Sequence, residues 1–210
     1  IGSIMRYYLA KFSVFIFIFT ATQALSNDIT LNELIFDDSK PYHLKILDAL
    51  PESAIVQVGP ENAENTIIEF MDYFCGYCKK IHPELIQIVE RRDDTRAVFL
   101  QHPILSESSR VISAMVVAAN LQGKGWELHH ELFSIQGSLT QKKLDQMINN
   151  LDINKTKLMI DIGKDEIKNI VELSSFLANG SGARGTPTLF INEEFIGGYL
   201  SLNKIESLLR

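Results

Sequence analysis

The two cysteines of this 210-residue chain, Cys75 and Cys78, lie three positions apart in the stretch FMDYFCGYCKK, residues 70–80. Thiols at that spacing can close a disulfide on each other, share a metal, or act as a nucleophile and its resolving partner. The flanking residues bear on the choice. TIIEFMDY (66–73) is apolar and β-branched enough for a buried strand. From Gly76 onward Ile81, Leu85, Ile88 and Val89 share one helical face, with Pro83 expected to kink the helix. A cysteine pair at a strand-to-helix junction puts Cys75 at a helix N-terminus, where unpaired N–H groups and the macrodipole favour negative charge. Its thiolate is stabilised there, with an expected pKa of roughly 3.5–7.5. Cys78, almost one turn further in, is placed to attack a mixed disulfide formed at Cys75. A low-pKa sulfur is also a good leaving group, so a Cys75–Cys78 disulfide would pass readily to another protein.

Three other uses of the pair are weaker. A purely structural disulfide across so short a loop gains only about 2 kcal/mol and staples nothing distant. A zinc site could recruit His82, but C-x-x-C needs two further ligands, and His43, His102, His129 and His130 are scattered. Covalent haem attachment needs C-x-x-C-H, and position 79 is Lys.

The rest of the chain must position this pair. Hydrophobic residues make up 46% of it, enough for a well-buried core, and the formal net charge is −6 without a basic stripe, which argues against nucleic acid as a partner. Near the start, Arg6 and Lys11 accompany the apolar run FSVFIFIFT, followed by ATQALSND. This pattern predicts a signal peptide over residues 1–24 with cleavage before Leu25, since the 14 uncharged residues from Phe12 to Leu25 fall short of a membrane span. An uncleaved anchor is the alternative. Removing the leader takes away two basic and no acidic residues and moves the charge from −6 to −8. An exported protein meets an oxidising environment, where thiol pairs are used differently than in the cytosol.

Residues 25–53 read as a helical extension with two short patterns. Leu31, Leu34 and Ile35 mark the first; Leu44, Leu47 and Leu50 stripe the second, after an N-cap at Asp38 or Ser39. The extension has no obvious core of its own to join. Strands are predicted over 54–58, 66–73 and 96–102, then a strand-free helical block over about 104–179, with Gly180 in the position of a cap glycine. TPTLFIN, a turn at EE and FIGGYL predict two more strands, and a helix over 201–210 follows. The order predicts an α/β fold with helical material inserted into a small α/β unit.

EFMDYFCGYCKKIHPEL resembles the active-site strand and helix of the thioredoxin superfamily, in particular its DsbA-like branch (the Com1, ScsC and α-DsbA type). GTPTLFINEEFIGG (185–198) resembles the loop and hairpin that in this family carry a cis-proline facing the C-x-x-C. The resemblance spans residues 54–210 and implies a thioredoxin-like fold with a helical insertion. It further implies Cys75 as exposed nucleophile, Cys78 as buried resolving thiol, Pro187 as the cis-proline, and Thr186 as the residue presenting its backbone to an extended substrate. X–Pro is the one common place for a cis bond. The implied function is an exported, periplasmic thiol–disulfide oxidoreductase acting on cysteine-containing exported proteins and working with a membrane redox partner, without organic cofactor or metal. Gly76-Tyr77 between the cysteines and Thr186 before the proline look more like the isomerase and reductase members than the strongly oxidising DsbA. Some isomerases of this type form trimers through N-terminal extensions, which makes residues 28–53 a candidate segment for a trimer or dimer.

Further residues carry smaller expectations. Tyr73, Phe74 and Tyr77 are candidates for an apolar landing surface, Tyr77 being the one assigned to substrate binding. Glu69 and Asp72 precede Cys75; strand alternation allows at most one to point inward as proton acceptor for Cys78. His129 and His130 read as helix-surface or packing residues, and Trp126 with Phe133 as core of the helical block. Lys79 and Lys80 could lower the Cys75 pKa a little. A different class of function, a chaperone whose groove around Pro187 and Tyr77 holds unfolded chains with the cysteines incidental, is the alternative; metal delivery is a third.

Overall fold

Strand β2 (Asn65–Met71) sits at the centre of a five-stranded sheet in a computed structural model that describes residues 40–210. The expected leader, the helical pattern at residues 31–35 and the proposed cap at Asp38 or Ser39 lie outside the described residues. β2 pairs in parallel with β3 (Thr95–Gln101) and antiparallel with β4 (Thr188–Ile191). β1 (Val56–Val58) borders β3 and β5 (Glu194–Gly197) borders β4, both antiparallel, giving the order β1-β3-β2-β4-β5. Every β2 residue is buried because helices cover both faces, which is why its sequence runs apolar without alternation.

Side chains still alternate in direction along β2. Ile67 and Met71 join one hydrophobic cluster, Ile68 and Phe70 the other. Over the first face lies α2 (Gly76–Arg91), which begins directly after β2 and runs through Pro83 without interruption. The helical block follows β3: α3 (Glu107–Asn120), α4 (Gly125–Ser134), α5 (Gln141–Asn150), α6 (Lys155–Ile162) and α7 (Asp165–Gly180). Ser106, Thr140 and Asn154 start three of these helices by accepting the N–H of Ser109, Lys143 and Lys157 on their side chains. α3 feeds both clusters, α4 and α5 the first, α7 the second. A short α8 (Leu202–Glu206) packs on α2. The thioredoxin-like fold with a helical insertion is therefore as anticipated.

The extension is not as anticipated. α1 (Tyr42–Asp48) starts at Pro41 without a side-chain cap, and its buried stripe is His43 and Ile46, continued by Leu50. Leu44 and Leu47 are only partly buried. Ile46 and Leu50 have a core to join: they belong to the second cluster, with Phe70, Val171 and Phe190. Smaller shifts have local causes. A single 3₁₀ turn (Glu52–Ala54) replaces the start of the first predicted strand. α7 runs through Gly180, and the left-handed residue is Gly182 at φ 93°, two positions later. The last hairpin turns on Asn192 and Glu193, with Asn192 at φ 52°, so that Glu194 belongs to β5.

Candidate active site

Cys75 is the N-cap of α2, in extended backbone (φ −77°, ψ 119°), and its carbonyl accepts the first helical bond from the Lys79 N–H at 3.0 Å. A serine or aspartate oxygen commonly fills the cap position. Here a cysteine stands there without a side-chain cap hydrogen bond of ordinary geometry, and the nearby N–H groups of Tyr77 and Cys78 still favour its thiolate. Opposite stands the loop before β4, where the Thr186–Pro187 peptide is cis and the Cys75 thiol donates to the Thr186 carbonyl at 3.2 Å. The Cys75 pKa is lowered to about 5, first by hydrogen bonding from the Cys78 thiol, against a smaller burial effect, then by the Thr186 side chain and the two N–H groups. Lys79 and Lys80 are both engaged away from the sulfur. Lys79 Nζ is bonded to the Ile135 carbonyl, and Lys80 lies 4.0 Å over the Tyr199 ring. Cys75 is also less open than an exposed nucleophile: 8% of its surface is accessible, because the Thr186 loop leans on it.

Cys78, one turn inside, is wholly buried, and the two sulfurs are unjoined thiols. Burial pushes its pKa far up, helped by the hydrogen bond to Cys75 and by the Glu69 carboxyl beneath it. Glu69 itself is raised to about 8 by burial, opposed by Cys78 and reinforced by the charge of Cys75. Neither carboxyl oxygen has a hydrogen-bond partner of ordinary geometry. The arrangement separates a sulfur that is a thiolate at neutral pH from one that is a thiol, and puts a carboxyl that titrates near neutrality against the second.

Both acids before the cysteines are buried, which corrects the expectation of at most one. Alternation governs Glu69 within β2, but Asp72 is past the strand's end. Its carboxylate accepts the Phe74 N–H at 2.9 Å and the Ile104 and Leu105 N–H groups at 3.0 Å each, and its carbonyl takes the Cys75 N–H. Asp72 holds loops; Glu69 faces the sulfur. Tyr73 is likewise no surface residue: it is 9% accessible, with its hydroxyl 2.9 Å from His129 Nδ1. Phe74 and Tyr77 are exposed, Tyr77 at 61%, and Tyr77 lies beside Tyr199 with ring centroids 6.0 Å apart. Thr186, Pro187, Cys75 and Tyr77 thus surround one end of α2.

His82 went unassigned in the sequence except as a possible zinc ligand. It is buried on α2 four residues after Cys78, and that i, i+4 spacing was the available signal. Its ring contacts those of His129, His130, Phe99 and Phe133. His129 is fully buried in packing, as expected, while Trp126 stacks on Phe99 at 5.9 Å.

Residues 52–210 match a family model described as thioredoxin. The chain belongs to the thioredoxin family, and its fold is that of the DsbA-like members. The catalytic domain of Proteus mirabilis ScsC superposes with a TM-score of 0.69 at 24% identity, over 79% of this chain and 93% of that one. The thiol–disulfide exchange protein alpha-DsbA2 from Wolbachia pipientis gives 0.68 at 24% identity, over 79% and 92%. Disulfide bond formation protein D of Bacillus subtilis is 22% identical over 164 residues, 72% of this chain and 74% of that protein. A Na(+)/H(+) antiporter NhaA of Nitrosospira multiformis is 30% identical over 141 residues, 64% of this chain but only 22% of the antiporter. The chain spans about a fifth of the antiporters it matches. Among the described residues no helix is long and apolar enough to cross a membrane.

Proposed function

We propose that this protein is an exported thiol–disulfide oxidoreductase that reshuffles, and can form, disulfides in other exported proteins through the Cys75–Cys78 pair. The observation that carries the reading is the pairing of a low-pKa Cys75, facing the cis Thr186–Pro187 peptide, with a buried high-pKa Cys78 over Glu69. Cys75 thiolate attacks a client disulfide, forming a Cys75–client bond and releasing the second client sulfur as a thiolate. Either that client thiolate, attacking elsewhere in its own chain, or Cys78 then ends the mixed disulfide. In the second case the Cys78 proton passes to Glu69, a Cys75–Cys78 bond forms, and the client sulfur leaves reduced. Thr186 and Pro187 hold the client backbone, and Tyr77 gives it an apolar contact. The relatives' printed names, thiol–disulfide exchange and disulfide bond formation, support the same reading, as does the leader-like pattern of residues 1–24 for a periplasmic setting with a membrane redox partner. A trimer or dimer through residues 28–53 belongs to the same reading, although α1 commits Ile46 and Leu50 to its own domain.

The test uses scrambled ribonuclease and the reduced protein in a weak glutathione buffer. Regain of ribonuclease activity, absent with Cys75→Ser, is the expected result. Rapid oxidation of reduced ribonuclease without unscrambling would assign net oxidation instead. Undiminished exchange by Cys75→Ser would overturn the mechanism.

A further inference from the structure

Resolution of a mixed disulfide by Cys78 sets a proton loose in the interior, and reduction of the internal disulfide needs one returned. Cys78 and Glu69 are both wholly buried, so the proton needs a path through the protein to reach water. Several buried polar atoms on this face of the sheet lack partners. Both oxygens of Glu69, both side-chain polar atoms of Gln101, Nε2 of His129 and Nδ1 of His82 lack a hydrogen bond. Buried polar groups are normally paired, and leaving one unpaired costs roughly 1–3 kcal/mol, so a concentration of them asks for a reason.

They group around two hydrogen-bonded pairs, Tyr73 with His129 and His82 with His130. Glu69 of β2 lies within electrostatic range of the Tyr73 hydroxyl, which Gln101 of β3 also faces. That hydroxyl meets His129 Nδ1 at 2.9 Å. The His129 and His82 rings meet edge to face with centroids 5.0 Å apart, so the two pairs are in ring contact although no hydrogen bond joins them. His82 Nε2 is 3.1 Å from His130 Nδ1. His82 and His130 line an open cleft of about 690 Å³ with Lys79, Glu90 and Gln136, which shares no lining residue with the pocket at Thr186 and Pro187.

Resting on the exchange reading above, we propose that Tyr73, His129, His82 and His130 form a proton relay joining Glu69 to this cleft, separate from the client's own entrance at Cys75. A proton leaving Cys78 goes to the Glu69 carboxylate. From there the Tyr73 oxygen takes up a proton as it releases its own, each imidazole accepts one at one nitrogen and gives one up at the other, and His130 delivers it to water in the cleft; the reverse run returns a proton when the disulfide is reduced. No electrons move along the relay. Burial keeps His129 well below its ordinary pKa and His82 at about 3, so both rest neutral, the state in which an imidazole has one donor and one acceptor nitrogen to exchange. These are relay residues and touch no client. Their placement also separates traffic: a client lying across Cys75 and Pro187 does not block the cleft.

The experiment measures, by stopped flow, the rate at which Cys78 resolves a Cys75 mixed disulfide made with a small aromatic thiol, in light and heavy water. Tyr73→Phe keeps the ring and removes the hydroxyl; His130→Ala alters only the partly exposed end of the relay. Both are expected to resolve at least about tenfold more slowly, within the range that positioned proton transfer contributes, with unchanged Cys75 titration and unchanged melting temperature. Added imidazole should restore His130→Ala, since the cleft admits it, and leave Tyr73→Phe slow. Wild-type rates in both variants, with an unaltered solvent isotope effect, would overturn the relay while exchange itself stood. Full exchange activity in Cys75→Ser would instead overturn the reading on which the relay rests. If Tyr73→Phe melts early, His130→Ala with imidazole rescue decides alone.

Discussion

The two faces of the central sheet are built from the same strands and differ in what they tolerate. One presents the hydrocarbon side chains Ile68, Phe70, Val98, Leu100 and Phe190 to α1 and α7, with His43 buried beside Ile46 on α1. The other, one residue out of step, presents Ile67, Glu69, Met71, Ala97, Phe99 and Gln101 toward α2 and α4, where the cysteines and His82 and His129 are also buried. Both faces exclude water. The first uses that exclusion for stability; the second uses it to drive the pKa values of Cys78 and Glu69 away from their ordinary ranges. Burial of ionisable groups costs free energy, which apolar packing on both faces offsets.

If the division holds, the largest effects on stability come from the hydrocarbon face. Phe70→Ala should lose about 3–5 kcal/mol in denaturant unfolding, while the ultraviolet titration of the Cys75 thiolate stays where it was. A shifted titration would show that the faces are not independent. Ile46→Ala removes the buried anchor of α1 and should cost about 2–5 kcal/mol. An unchanged midpoint would mean that α1 contributes nothing to the domain and leave it free for a partner.

The polar face should declare itself through pH. Glu69 has a folded pKa raised from 4.5 to about 8, so the folded state holds its proton longer, and its contribution falls as pH rises between those values. Cys75 is lowered from 9.0 to about 5, so the folded state gives up its proton sooner, and its contribution grows with pH over that interval. Between about pH 6.5 and 8, above the ordinary histidine pKa of 6.5, the two slopes oppose each other. Each slope is at most about 1.4 kcal/mol per pH unit, and that of Cys75, at the rim of the domain, is reduced by solvent screening. Reduced wild type should therefore change little in stability over this range. Cys75→Ser should lose stability as pH rises, and Glu69→Gln should gain it; chemical denaturation at several pH values reads both. Parallel curves for all three proteins would mean that neither group titrates as its surroundings dictate. The smallest effect belongs to Tyr77→Ala on the exposed rim, which should change stability by less than about 0.5 kcal/mol and weaken capture of a cysteine-containing peptide a few-fold, measured by mixed-disulfide formation.

The sequence was most informative where a local pattern had one physical use. β2 showed itself as an apolar run, the helix after Gly76 as a stripe, and the cysteine pair by its place between them. Thr186 and Pro187 were legible only through resemblance, because no local rule brings residue 186 to residue 75. The failures have a common source in side-chain direction. Leu44, Leu47 and Leu50 looked like a stripe, but His43 and Ile46 turn inward, Ile46 joining the cluster of Phe70 and Phe190. Tyr73 reads as a surface aromatic until His129, 56 residues away, supplies a partner for its hydroxyl. Asp72 escaped the alternation argument because β2 ends one residue before it. The histidines were scattered in sequence and gathered only when α4 packed over α2.

Asp72 has one more consequence. Its carboxylate grips the Phe74 N–H on one side and the Ile104 and Leu105 N–H groups on the other, just ahead of the first inserted helix. Two stretches of chain are thereby pinned to a single rigid bracket: the one that aims the attacking sulfur and the one from which the helical block departs. Any tilt of that block against the sheet must pull on the bracket, so the helices cannot swing as a loose flap above the sulfur. They move with its aim or hardly at all.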